Sequence, residues 1–276
     1  MRLVEFLRTA GTRLQRISDD PRLESRLLAA HVAGRPASWV LAHPDLELSS
    51  AQTAALDGLL ERRVSGEPLP YLLGGWEFFG LNFDLTPDVL IPRPETELLI
   101  ETAIAWASGR PSARAIDVGT GSGCIAVALA VHCPSLALIA TDISPAALEV
   151  AHRNAIKHAV AQRIAFLECD LFPRDVLHAF DLILSNPPYI PTETLKGLPV
   201  FGREPTIALD GGPEGLAVIS RLLHAAPLAS GGMLLVEIES SLGPAILAAA
   251  RERFPLGRIE IRQDLAGLDR LLVVET

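Results

Sequence analysis

Long apolar runs are missing from this 276-residue chain. No stretch reaches the ~18 consecutive apolar residues that a membrane-spanning helix needs, so no membrane partner is expected. Residues 1–17 spread arginines among leucines and carry Glu5. That pattern lacks the uninterrupted apolar core of a signal peptide and predicts an amphipathic helix. Cysteine is scarce: Cys124, Cys133 and Cys169 are odd in number and have no zinc-like spacing. They read as small buried hydrophobes in a reduced, cytoplasmic protein, with no disulfide framework and no metal site. Positive charge is in deficit, with Lys+Arg 24 against Asp+Glu 33 and a net charge of −9. This argues against a broad phosphate-binding surface and against direct nucleic-acid binding. A P-loop lysine motif is absent, which excludes the usual ATP cradle. There is no internal repeat and no low-complexity tract. Aromatic residues are only 5% of the chain, so their cluster from Tyr71 to Phe83 is informative. Apolar residues at 49% suffice for a sizeable core, as one large domain or a medium domain with a small partner.

The first segments read as helical. Asp20 and Pro21 form an N-cap and first-turn pair. Leu23, Leu27, Leu28 and His31 follow at helical spacing, with His31 expected as a packed histidine, and Gly34 and Pro36 end the run. Trp39 to Leu41 begin a short segment broken by Pro44. Ser49 or Ser50 caps a third helix carrying Leu56, Leu59, Leu60 and Val64. No chemical cluster occurs here, so a small helical docking domain over residues 1–73 is expected. Residues 74–93 alternate glycines with aromatics and predict a β-hairpin linker. Pro94 suits the first turn of a helix, and Arg93, Glu95 and Glu97 read as capping and surface charge.

From Ala113 onward, strand and helix patterns alternate, which predicts a mostly parallel α/β sheet over residues 94–276. Strands are expected at 113–118, 136–141, 163–168, 181–184, 232–239, 258–262 and 270–275. Helices are expected at 124–133, 145–158, 216–228 and 244–254, with a lid or loop at 204–215.

Between the first of these strands and its helix lies Gly119-Thr120-Gly121-Ser122-Gly123. A dinucleotide fold wants GxGxxG there. The GxGxG spacing instead favours a nucleoside with no pyrophosphate to cradle. Asp142 ends the next strand, where a carboxylate can accept from ribose hydroxyls. Asp170, followed by Leu171 and Phe172, ends the third. Asp117 precedes the loop and can fix its backbone or meet a cationic group. The fourth strand runs into Asn186-Pro187-Pro188-Tyr189. Proline cannot donate to a ladder, so the strand must stop at Ser185 or Asn186. The Asn186 amide oxygen and the Pro187 carbonyl are then two acceptors on a stiff segment, able to hold a planar NH2 group beside the Tyr189 ring.

This constellation resembles the class I S-adenosylmethionine-dependent methyltransferases, with a Rossmann-like sheet. More closely, the chain resembles the N5-glutamine methyltransferases of peptide chain release factors. The likeness runs through LAHPD (41–45), GEPLPYLLG (66–74), EFFGLNF (77–83), LIPRPETE (90–97), DVGTGSG (117–123), SNPPYI (185–190), EPTIALDGGPEGL (204–216) and DLAGLDR (264–270). It departs at Thr206, where the family usually has arginine, at Glu239, where glycine is common, and at Leu268. The resemblance implies S-adenosyl-L-methionine as cofactor, contacted by Gly119, Thr120, Gly121, Ser122, Gly123, Asp142, Asp170, Leu171 and Asn186. It implies Asn186, Pro187, Pro188 and Tyr189 as the catalytic and substrate-binding motif, with a release factor as protein partner. The alternative is a DNA or RNA adenine-N6 methyltransferase using the same four residues. A further alternative is a factor-binding module without activity.

Overall fold

The computed structural model describes residues 1–174 and 179–276. It divides into two compact units, Met1–Gly75 and Trp76–Thr276. The first contains α1 (Leu3–Leu14), α2 (Pro21–Ala33), α3 (Ala37–Ala42), α4 (Ser50–Val64) and α5 (Leu69–Leu73). Helix ends follow local chemistry. The Asp20 side chain accepts from the Leu23 N–H, and Gly34 closes α2 in the left-handed region. Ser49 and Gln52 cap α4 reciprocally. The buried face of α2 is Ser25, Leu28, Ala29 and Ala30. His31 is exposed and Leu23 is 42% exposed, which corrects the expectation of a packed histidine. Of the expected stripe only Leu28 is fully buried, and it faces inward with the small residues Ser25, Ala29 and Ala30. The ion pair of Arg63 with Glu24 (2.8 Å), itself mostly buried, ties α4 to α2.

A hairpin, β1 (Gly75–Phe78) and β2 (Leu81–Asp84), starts at the division and lies in the second unit from Trp76 onward. A 3₁₀ turn at Pro94–Thr96 leads into α6 (Glu97–Ala107). The α/β alternation follows as β3 (Arg114–Val118), α7 (Cys124–His132), β4 (Ala137–Asp142), α8 (Pro145–Lys157), β5 (Ile164–Glu168) and β6 (Phe180–Ser185). Then come α9 (Thr192–Lys196), α10 (Ala217–Ala225), β7 (Leu228–Glu237), α11 (Gly243–Arg253), β8 (Arg258–Gln263) and β9 (Asp269–Glu275). The sheet order is β5-β4-β3-β6-β7-β9-β8. Strands β3 to β7 pair in parallel, and β9 is antiparallel to both β7 and β8. This is the mostly parallel α/β sheet expected of the chain.

The chain steps outward from β3 to β5 and then returns to β6 on the other side of β3. The carboxyl ends of β3 and β6 therefore bound a topological switch point, the place where such sheets open a crevice. Val118 pairs with both Thr141 and Ser185, so three strand ends reach that crevice in register. Beneath it, Ile116, Ile183, Leu234, Val236 and Leu272 pack against Ile219, Leu222 and Leu223 of α10 and Ile246 of α11. Burying each of these side chains contributes roughly 1.5–3 kcal/mol.

Two differences from the sequence reading have local causes. The expected helix to Leu228 stops at Ala225, because Pro227 biases its predecessor Ala226 to extended backbone (ψ 113°). The following strand then starts at Leu228. The five-residue helices α5 and α9, each entered through a proline, had no visible periodicity. The hairpin belongs to the second unit. Asn154 of α8 is fully buried and accepts from the Asp84 N–H (2.7 Å), while its amide donates to the Asp84 carbonyl (3.0 Å) and the Ser122 carbonyl (2.9 Å).

One side chain thus joins hairpin, helix and glycine loop. Asn154→Ala leaves these buried groups unpartnered and is expected to cost about 1–3 kcal/mol. Denaturant unfolding should show a lower midpoint at unchanged slope. A midpoint equal to the parent's contradicts this account of the hairpin.

Candidate functional site

The cleft at the switch point is lined by Gly119–Ser122, Asp142, Ile143, Leu171, Asn186, Pro187 and Pro188, with Leu90, Val118 and Ile125 among its apolar walls. The glycine loop crosses the end of β3. Gly119, Gly121 and Gly123 all have positive φ (74°, 54° and 81°), which a side-chain-bearing residue adopts only with strain. The N–H groups of Gly119 and Thr120 both donate to the Thr141 carbonyl at 2.9 Å.

Asp117 lies beneath the loop and is fully buried. Its Oδ2 accepts from the Thr120 hydroxyl (2.6 Å) and the Ala126 N–H (3.2 Å). Of the two roles open to it in the sequence, the structure shows the loop-fixing one. Its Oδ1 has no partner among the described residues, nor does the buried Ser122 hydroxyl in the cleft wall. Burial pushes the Asp117 carboxyl up to about 7, against the pull of Thr120 and Ala126.

Asp142, at the end of β4, reaches the same cleft. Its Oδ2 accepts from the Gly121 N–H and its Oδ1 from the Ser144 N–H, both at 2.9 Å. Burial raises its pKa, and those N–H groups oppose the rise. Each oxygen keeps a second lone pair, so the carboxylate can still accept from a diol. Asp170 is exposed and ion-paired with Arg221, and both lie on the cleft's rim. Leu171 has φ +65°, and its carbonyl accepts from the Thr141 hydroxyl (2.8 Å). Cys124 and Cys169 line the cleft half-buried, so only Cys133 is the buried small hydrophobe expected of all three. Burial pushes the Cys124 thiol up to about 12, so it stays protonated.

Together, a bent glycine loop, a carboxylate with free lone pairs, an unpartnered hydroxyl and apolar walls fit a nucleoside. The residues present therefore fit S-adenosyl-L-methionine.

On the other side, β6 ends at Ser185, whose hydroxyl donates to the Val118 carbonyl (2.8 Å). Asn186 follows half-buried. Its Nδ2 donates to the Thr96 hydroxyl (3.1 Å), which donates onward to Glu237 Oε2 (2.6 Å). The Tyr189 hydroxyl donates to Glu237 Oε1 (3.1 Å). Glu237 is 1% exposed. Burial raises its pKa, while Thr96, Tyr189 and the Arg270 charge lower it. Burial, then the neighbouring Glu237 charge, raises the Tyr189 phenol well above its ordinary range. No donor among the described residues reaches Asn186 Oδ1.

Sequence reasoning missed Thr96 and Glu237. The signal for Glu237 was a lone carboxylate ending a buried apolar strand, the same signal that singled out Asp142. Arg93 also differs from the expected surface charge. It pairs at 2.5 Å with Glu204, whose side chain is 3% exposed and also accepts from the Ile91 N–H (3.1 Å).

The segment 204–215 clasps the motif. The Ile190 N–H donates to the Leu209 carbonyl (3.0 Å), and the Gly211 N–H to the Ile190 carbonyl (2.8 Å). A Cβ on Gly215 would sit 2.3 Å from the Tyr189 carbonyl oxygen, so only glycine allows this approach. Thr206, Glu239 and Leu268, the three departures, do not line the cleft.

Asp117 makes stability depend on pH. The folded chain holds its proton more tightly than the unfolded chain, whose ordinary value is 3.8. Its contribution is therefore full below that value and is lost as pH rises through about 7. Asp117→Asn keeps an acceptor for Thr120 and Ala126 but does not ionise. The difference in Tm between variant and parent should shift in the variant's favour from pH 4 to pH 8, an expected window of roughly four units. Parallel curves would contradict the assignment.

Comparison with known proteins bears on the fold and the family. Residues 5–74 match the family model described as PrmC N-terminal domain, and residues 94–197 match the methyltransferase small domain. The solved methyltransferase from Pyrococcus furiosus is 18% identical, with a TM-score of 0.51 over 72% of this chain and 90% of its own. The hMettl16 catalytic domain, also 18% identical, has a TM-score of 0.55 over 79% of this chain and 81% of its own. These two share the fold. The release factor glutamine methyltransferase of Bordetella pertussis is 45% identical over 259 residues, covering 91% of this chain and 93% of that protein. Those of Moorella thermoacetica (41%, 91% and 89%) and Coxiella burnetii (38%, 98% and 97%) match at similar length. Likeness of this degree, spanning both units and the cleft between β3 and β6, makes the chain a member of the release factor glutamine methyltransferase family.

Proposed function

We propose that the protein methylates the side-chain amide nitrogen (N5) of the glutamine in the Gly-Gly-Gln motif of peptide chain release factors. Bound S-adenosyl-L-methionine supplies the electrophilic methyl group. The observation that carries the reading is Asn186: its NH2 is spent on Thr96, and its Oδ1 remains an open acceptor at a strand end.

An amide nitrogen is a poor nucleophile because its lone pair is delocalised, as the ~18–20 kcal/mol barrier to amide rotation shows. Asn186 Oδ1 and the Pro187 carbonyl would accept the two N–H bonds of the target amide. This fixes the nitrogen in line with the methyl group and favours positive charge building on it. The N-methylated amide would lose its proton to solvent after transfer, with the sulfonium leaving as a neutral thioether, so no strong base is needed. Pro188 keeps the segment stiff, and Tyr189, whose ring packs against the core rather than lining the cleft, anchors its end through Glu237. On the cofactor side, Asp142 would accept from the ribose hydroxyls, the Gly119–Gly123 backbone would face the amino-acid portion, and Asp170 and Leu171 would flank the base.

The test is methyl transfer from labelled cofactor to an intact release factor and to an oligonucleotide, with the modified group located by mass spectrometry. One methyl on the Gly-Gly-Gln glutamine is expected. A methylated adenine would support the nucleic-acid alternative and overturn this reading. Asn186→Ala, compared at saturating cofactor, should lower turnover by ~10²–10³.

The helical unit Met1–Gly75 is assigned a docking role toward the protein substrate, a reading supported by the match of residues 5–74 to a separate N-terminal domain of the family. The hairpin is bonded to α8, so the cut that preserves the second unit lies before Trp76. A chain beginning there should keep its cofactor affinity and lose about tenfold or more in kcat/KM on the intact release factor, equivalent to ~1.4 kcal/mol. Full activity would rule out docking. No helix among the described residues is long and apolar enough to cross a membrane.

A further inference from the structure

The reaction needs Asn186 to present an oxygen to its substrate, yet an asparagine amide is nearly symmetric in shape. Rotating it by half a turn presents an NH2 instead. Something must set its direction, and the Asn186 backbone does not. The chain of bonds from Asn186 through Thr96 ends on the Glu237 carboxyl group. Both its oxygens already receive hydroxyl donors, from Thr96 and from Tyr189. The Thr96 hydroxyl has one proton, and it is committed to Glu237 at 2.6 Å. Toward Asn186 that hydroxyl can therefore only accept. Asn186 must turn its NH2 to Thr96 and its Oδ1 to the cleft.

We propose that Glu237, acting through Thr96, is a specificity-determining positioning pair that locks the Asn186 amide in its acceptor orientation. The inference rests on the proposed amide-methylating function and deepens it. The locked site accepts an NH2 group and rejects a substrate group that can only accept, such as the carboxylate of glutamate. The same carboxylate fixes Tyr189, so the two polar ends of the motif share one anchor. Thr96 and Glu237 touch neither reacting atom: they act through Asn186 and Tyr189. Three segments far apart in sequence meet at this point, which ties the turn at Pro94–Thr96 to substrate choice.

Thr96→Val removes the relay without changing charge or shape greatly, and Thr96→Ser restores it. The readouts are kcat at saturating cofactor, KM for the intact release factor, and inhibition by a release factor carrying glutamate in place of the acceptor glutamine. In Thr96→Val, Asn186 is free to turn. Its kcat should fall tenfold or more, and the glutamate form should become a stronger competitor relative to the glutamine form by fivefold or more. Thr96→Ser should lie within about twofold of the parent on both measures. Cofactor affinity and thermal unfolding, measured alongside, report whether the fold is kept.

If Thr96→Val does not fold, Glu237→Gln carries the test. A glutamine there can donate to Thr96 and reverse the chain, so the same loss of discrimination is expected. Unchanged discrimination in a folded variant, or a Thr96→Ser enzyme as impaired as Thr96→Val, would overturn the proposal. Failure of the parent enzyme to methylate any release factor would instead overturn the proposed function.

Discussion

One buried carboxylate, Glu237, governs the polar half of this site. It receives the Thr96 and Tyr189 hydroxyls on separate oxygens and sits at the end of the interior strand β7. A buried carboxyl group of this kind is tolerated only when its oxygens find donors. Sheet register is what makes the arrangement available. Ser185 pairs with Val236, so Asn186 and Glu237 are the next residues along two adjacent parallel strands. The loop after β6 then turns on prolines rather than continuing the ladder, leaving Asn186 between the sheet edge and the cleft. Side chains held by strand ends are more rigid than side chains on free loops, which suits a site that must fix a weak nucleophile.

The nucleoside side of the cleft rests on similar logic. Asp117 ties the glycine loop to α7 through Thr120 and Ala126, and Asp142 ties the same loop to β4 through Gly121. Both carboxylates are raised by burial, and each spends oxygen lone pairs on the loop's backbone and hydroxyls. The loop is thereby bent in advance of any ligand. Segment 204–215 performs the same service for the asparagine motif from above, through Ile190 and through the close approach at Gly215. Arg93 and Glu204 then fasten that segment to the chain entering α6.

Much of this was legible in the sequence because it is local. The strand-to-helix alternation, the glycine loop, the carboxylates at strand ends and the stop imposed by two prolines each follow from neighbouring residues. Asp20, Gly34 and Ser49 mark helix ends by short-range chemistry that tertiary structure did not override. The parts that escaped are pairings across great sequence distance. Thr96 meets Glu237 at a separation of 141 residues, and Arg93 meets Glu204 at 111. Nothing in a helix start reading PETE distinguishes a threonine aimed at another strand from one facing water. Leu23 and His31 misled for a related reason: apolar spacing gives a stripe but not which side of a short helix its neighbours cover. The short helices α5 and α9 are fixed by proline entry and packing, with too few residues to show a period.

The central claim is that the Asn186 amide is held with its nitrogen on Thr96 and its oxygen toward the cleft. Nuclear magnetic resonance of protein carrying isotope-labelled asparagine tests this most directly, by reading the side-chain NH2 of Asn186. The account predicts a single pair of amide proton signals, slow to exchange with water and in nuclear Overhauser contact with the Thr96 methyl group. An Asn186 NH2 that exchanges freely with solvent and shows no contact to Thr96 would contradict it.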